Sequence, residues 1–148
     1  MTGRAAEPVW PSATPPEAAD GLAWDLADVA ELPRVRAEVR RHAAATARSG
    51  NGRSEDLRDQ LVLALDEMAS NALRHGGGSR VTASVGLTPD AYLIEVSDEA
   101  ASSPPVPAVD RDPSEGGLGL YLIAELATAY GWYVRGGVKY VWALLPRP

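Results

Sequence analysis

Residues Ala64 to Gly76 read ALDEMASNALRHG. Leu61, Leu65, Met68, Ala69 and Ala72 recur at helical intervals and share one face, while Glu67 and Asn71, four residues apart, stand one above the other roughly opposite, with Arg74 on their side. Upstream, Ser54 supplies an N-cap serine, and Glu55 and Asp56 put acids in a first turn, so the spacing predicts a helix opening at Ser54. The simplest reading of a Glu-x-x-x-Asn face is solvation, because the pattern arises by chance in many helices. Its standing depends on the residues downstream.

Gly76, Gly77 and Gly78 end that helix. From Arg80 to Leu87, Val81, Ala83, Val85 and Leu87 alternate with polar residues, the signature of a half-buried strand. Thr88, Pro89 and Asp90 make a turn, and Ala91 to Ser97 returns as a second strand with Tyr92, Ile94 and Val96 on one face. Period two places Asp98 on that same apolar face, where an unpaired carboxylate is costly to desolvate. Such an aspartate either caps a local turn or receives a donor from a ligand. Glu99 to Glu115 is a long connection with four prolines and no periodicity, as in lids, binding loops or disordered segments. It runs into Gly116, Gly117, Leu118 and Gly119, and Leu120, Ile123, Ala124 and Ala127 then define a helix to about Tyr130. Glycines at the start of a helix let backbone N–H groups approach an anion. Trp132 to Val134 and Val138 to Leu144 form a hairpin around Gly136 and Gly137, with Val138, Tyr140, Trp142 and Leu144 expected to face the core.

Working back from the central helix, SGNG at 49–52 is a break. Before it, Asp28 looks like the cap of a helix running to about Arg48, with an apolar stripe of Val29, Leu32, Val35 and Val39. Arg34, Arg36, Arg40 and Arg41 fall on its other face, a solvated surface in the plain reading and a docking patch for an acidic partner in the sharper one. Leu22 to Leu26 alternates as a short strand. Residues 1–20, with Pro8, Pro11, Pro15 and Pro16, have the composition of a flexible tail in which Trp10 is a lone aromatic, and residues 21–148 form the domain.

The chain has 148 residues, 45% of them apolar, enough for one core. With no cysteine, disulfides, thiolate metal sites and cysteine nucleophiles are excluded. Two histidines, His42 and His75, do not make a zinc site, so any metal is a hard cation held by oxygen. A net charge of -6 argues against nucleic-acid binding. No apolar run reaches membrane-spanning length and the N-terminus lacks the regions of a signal peptide, so a soluble cytoplasmic protein is expected, with no membrane partner.

In this order, ALDEMASNALRHG, then VSD, then EGGLGLYLI resemble the N box and the two subsequent boxes of the GHKL ATPase superfamily, and the short chain resembles its anti-sigma-factor serine/threonine kinases. The resemblance spans about Leu22 to Leu145. It implies an α+β Bergerat fold, a two-layer sandwich with helices on one face of a mixed, mostly antiparallel sheet. It implies ATP and Mg2+ as ligands, Asn71 ligating the metal, Glu67 as general base toward a serine hydroxyl, and Asp98 accepting from the adenine amino group. Gly117, Leu118 and Gly119 would meet the phosphates under a lid formed by Glu99 to Glu115, and Arg74 and His75 are candidates for phosphate or partner contacts. The implied partners are a sigma factor or similar regulator and an antagonist protein that is phosphorylated, and such proteins often form homodimers. The second box departs from the family's Asp-x-Gly-x-Gly, because Glu99, Ala100, Ala101 and Ser102 come after Asp98, and Lys139 and Tyr140 stand near where a threonine often helps to hold adenine. These departures imply weak adenine binding, and they favour an alternative in which the chain is a non-catalytic partner-binding module.

Overall fold

The computed structural model describes residues 10–47, 52–75, 80–100 and 118–147. Strand β1 is Ala19–Leu26, longer than its apolar alternation predicts. Asp28 then opens a 3-10 turn, Val29–Glu31, through a reciprocal cap. Its carboxylate accepts from the Ala30 N–H at 2.8 Å, and Glu31 Oε1 accepts from the Asp28 N–H at 3.0 Å. The turn leads into helix α1, Leu32–Thr46, with Pro33 in its first turn, where a missing N–H does no harm. Leu32, Val35, Val39 and Ala43 are the buried stripe, whereas Val29 sits in the 3-10 turn and is 49% exposed.

Helix α2, Gly52–His75, is next. It begins two residues before the predicted cap. Ser54 lies buried within the first turn rather than ahead of it, so inward packing sets the helix start here. The remaining elements are β2, Val81–Leu87; β3, Ala91–Asp98; α3, Leu118–Leu126; β4, Ala129–Arg135; and β5, Val138–Pro146. Helix α3 stops four residues short of the expected Tyr130. The Ala127 N–H closes the last turn on Ile123 O, and the Thr128 N–H instead donates to Leu144 O, passing the chain to β4. Tyr130, Trp132 and Tyr133 are strand-favouring residues and belong to that strand.

The strands order as β1-β2-β3-β5-β4, and every neighbouring pair is antiparallel. Among the described residues the parallel part of the expected sheet is one isolated bridge, between Ser12 and Trp132. The three helices pack on one face of this sheet, giving a two-layer α+β sandwich. Register sets the core. Leu22, Val85, Ile94, Ala143 and Tyr130 form one cross-strand row facing the helices, and Trp24, Ala83, Val96, Val141 and Trp132 form the next. They meet Leu61, Leu65, Met68, Ala69 and Ala72 from α2. The β4–β5 turn is Gly136-Gly137, with φ of 61° and 77°, a conformation in which a side chain would be strained.

Two expectations change face. On β5 it is Val141, Ala143 and Leu145 that point to the helices, while Val138, Tyr140, Trp142 and Leu144 lie on the outer side. Both faces of β5 are apolar, so alternation alone leaves the side undetermined. The second change sets the N-terminal segment beside β4, with Trp10 in the helix-side core and Ala13 meeting Trp142 on the outer side. Residues from Trp10 onward are docked rather than tail-like: Trp10 is 3% exposed with its ring 4.9 Å from that of Tyr130. The Ala13 N–H donates to Trp132 O at 2.9 Å, the Trp132 N–H to Pro11 O at 3.0 Å, and Trp142 Nε1 to Ala13 O at 2.8 Å. A proline-rich segment that forms no core of its own can still cover one built by others. Residues 1–9 lie outside the described residues.

Three of the four arginines of α1 form ion pairs among the described residues. Arg34 meets Glu38 at 3.0 Å along the helix, while Arg36 meets Asp66 at 2.6 Å and Arg40 meets Asp59 at 2.8 Å, tying α1 to α2. Among the described residues, no helix is long and apolar enough to cross a membrane.

Candidate functional site

Helix α2 buries Leu65, Met68, Ala69 and Ala72, and the same turns leave Glu67 and Asn71 half-buried, with Glu67 on the side that meets α3. Neither side chain has a hydrogen-bond or ion-pair partner among the described residues. Burial raises the proton affinity of Glu67, the neighbouring Asp66 raises it further, and Arg74 partly offsets both. Arg74 is held nearby by a 3.1 Å bond from Nη2 to Ser70 Oγ, and that hydroxyl in turn donates to Glu67 O at 3.3 Å. Arg74 and His75 stand at the end of α2, both exposed.

The opening of α3 lies directly on Glu67. A Cβ built at Gly119 would fall 2.6 Å from both Cβ and Cγ of Glu67 and would overlap Oε2. Only a glycine lets the helix backbone approach this carboxylate so closely. Leu118 is the first residue of α3. Gly117 and all of the expected Glu99–Glu115 lid after Ala100 lie outside the described residues, as do Gly76 to Gly78.

Asp98 ends β3 on the helix-facing side, 4% exposed. Its Oδ1 accepts from the Ala100 N–H at 2.7 Å, a local turn of the kind such an aspartate often caps. Its Oδ2 lies 3.6 Å from Nζ of Lys139, which is 7% exposed and directly opposite on β5. The structure therefore brings Glu67 and Gly119 together between two helices, sets Asn71 one turn further along α2, and seats Asp98 on the sheet. No ion pair or hydrogen bond joins Asp98 to Glu67 or Asn71 among the described residues. In the sequence Lys139 stands out only as a replacement. Its partnership with Asp98 comes from the β3–β5 register, which the Gly136-Gly137 turn does not set, because that turn joins β5 to β4.

Among the described residues no group of three or more acids or histidines is placed to hold a metal. What the helix face offers is one amide and one carboxylate, oxygen donors suited to a hard cation that keeps most of its water. Comparison with curated proteins gives no significant match. The family model for the histidine kinase-like ATPase domain matches residues 29–143, a span that contains Glu67, Asn71, Asp98 and Gly119. With most of the chain matched on a two-layer α+β sandwich, this protein belongs to the histidine kinase-like ATPase domain family, of the ATP-binding GHKL type.

Proposed function

We propose that this chain binds Mg-ATP and transfers its γ-phosphoryl group to a serine of a regulatory partner, in the manner of anti-sigma-factor kinases. The observation that carries this reading is the seat of Glu67: a half-buried carboxylate of raised proton affinity, without a partner among the described residues, set against the glycine opening of α3. A base serves best when its proton affinity approaches the working pH, and burial moves Glu67 in that direction. The carboxylate takes the hydroxyl proton as the serine oxygen bonds to the γ-phosphorus and the bond to the bridging oxygen breaks, releasing ADP.

Asn71 offers its amide oxygen to the metal one turn along the helix. When bound, Mg2+ neutralises charge on the phosphates and orients them. The residues present fit both ligands: Gly119 adds no side chain of its own to the first turn of α3, and Asp98 presents a carboxylate acceptor on the helix-facing side of the sheet. Partner recognition by a sigma factor or similar regulator, and phosphorylation of its antagonist, belong to the same proposal, with the homodimer that such proteins often form.

Calorimetric titration of the full chain with ATP, with and without Mg2+, tests it. Binding that needs Mg2+ and weakens about tenfold or more in Asn71→Ala supports the reading. Absence of binding at millimolar nucleotide sinks it and leaves a partner-binding module that has kept the fold.

A further inference from the structure

Asp98 is already satisfied on one oxygen by a backbone N–H, and its other oxygen faces an ammonium, although the family position asks only for an acceptor. A buried lysine is unusual, because taking an ammonium out of water is costly, and the facing carboxylate of Asp98 offsets part of that cost. Lys139 and Asp98 occupy opposed positions on adjacent antiparallel strands, both on the helix-facing side. Opposed residues on neighbouring strands present their ends side by side, so the sheet here offers an acceptor next to a donor.

We infer that Lys139 is a base-reading residue: its ammonium donates to N1 of the adenine ring while Asp98 accepts from the 6-amino group. The inference rests on the ATP-binding reading above and deepens it. Adenine carries a donor at position 6 directly beside an acceptor at N1, the complement of the Asp98–Lys139 pair. A 6-oxopurine carries the reverse order. Seated in the same way, guanine turns O6 toward the carboxylate and N1–H toward the ammonium, and both contacts repel. A lone carboxylate discriminates at one point, whereas the pair discriminates at two. The departure at Lys139 then tightens base selection, opposite to the weakening that the loss of a threonine implies.

The test is equilibrium binding of ATP, 1-deaza-ATP and GTP, each with Mg2+, to the full-length wild-type chain. 1-Deaza-ATP keeps the 6-amino group and lacks only the ring acceptor. We expect it to bind about tenfold more weakly than ATP, and GTP more weakly still. In Lys139→Met, ATP should fall to the affinity of 1-deaza-ATP and the analogue should lose nothing further, a pattern that a merely structural lysine does not produce. Because this substitution strips the counter-charge from a buried aspartate, the wild-type comparison decides the matter if the variant does not fold. Equal binding of ATP and 1-deaza-ATP overturns the role of Lys139 while leaving ATP binding intact. GTP binding as tight as ATP overturns it too, since the ammonium would then face O6. Failure of ATP itself to bind removes the nucleotide reading and this inference with it.

Discussion

Glu67 and Asp98 are carboxylates drawn toward the same interior from opposite layers, and the fold treats them in opposite ways. Asp98 is almost fully buried and fully engaged, by the Ala100 N–H and by Lys139. Glu67 is only half-buried, yet its carboxylate has no partner among the described residues, and its proton affinity is raised. A carboxylate held by fixed partners presents a constant pattern of charge, which suits recognition. One left without them can change protonation state, which suits proton transfer. The difference comes from the scaffold: a strand end fixes Asp98 opposite a lysine by register, while a helix face leaves Glu67 to whatever the next helix brings.

The largest effect should come from breaking the engaged pair. Lys139→Met leaves Asp98 buried with its charge uncompensated, a loss of about 3 kcal/mol. For a chain of this size the melting temperature should fall by roughly 10 °C. Adding Asp98→Asn should recover most of that loss, because the charge that lacked a partner is gone. Thermal melts of the two single variants and the double variant measure the coupling. If Lys139→Met melts with the wild type, Asp98 does not depend on its partner and the contrast with Glu67 collapses.

A smaller loss should come at the other carboxylate from Gly119→Ala. The added Cβ meets Cβ and Cγ of Glu67 at 2.6 Å, so α3 must shift, at about 1–3 kcal/mol. Combining it with Glu67→Ala, which removes Cγ and the carboxylate, should give less than the sum of the two losses. Strict additivity in chemical denaturation would show that α3 does not rest on Glu67.

These two contacts also mark where sequence reading succeeds and where it stops. The apolar face of α2 and the inward alternation of β2 and β3 are legible because one face of each is apolar and the other is not, a local property. The face of β5 is misread because Tyr140 and Trp142 are as apolar as Val141 and Ala143. What separates them is Trp142 meeting Ala13, a contact 129 residues apart in sequence. Trp10 is illegible for the same reason, since its proline-rich surroundings describe a segment without a core and say nothing of a core elsewhere. Glu67, Asn71, Asp98 and Gly119 are each visible as motif positions. That Gly119 touches Glu67 and that Lys139 faces Asp98 are matters of helix packing and strand register, which no spacing within one element contains.

The finest test compares the two carboxylates by what neutralising each does at pH 7. Burial and Asp66 raise the proton affinity of Glu67, so the folded state favours its protonated form. Its contribution to stability is therefore fully present below the ordinary carboxylate range and is lost as pH rises through the raised value. Glu67→Gln keeps the shape without the charge and escapes that loss. At acid pH the variant should melt with the wild type, and at pH 7 slightly above it, by about 1–2 °C given the partial exposure of the group. Asp98→Asn should do the reverse at pH 7, lowering stability because it removes the carboxylate that faces the buried Lys139 ammonium. A Glu67→Gln variant less stable than wild type at pH 7 would mean that the carboxylate is anchored after all, and that proton transfer must be sought at another group.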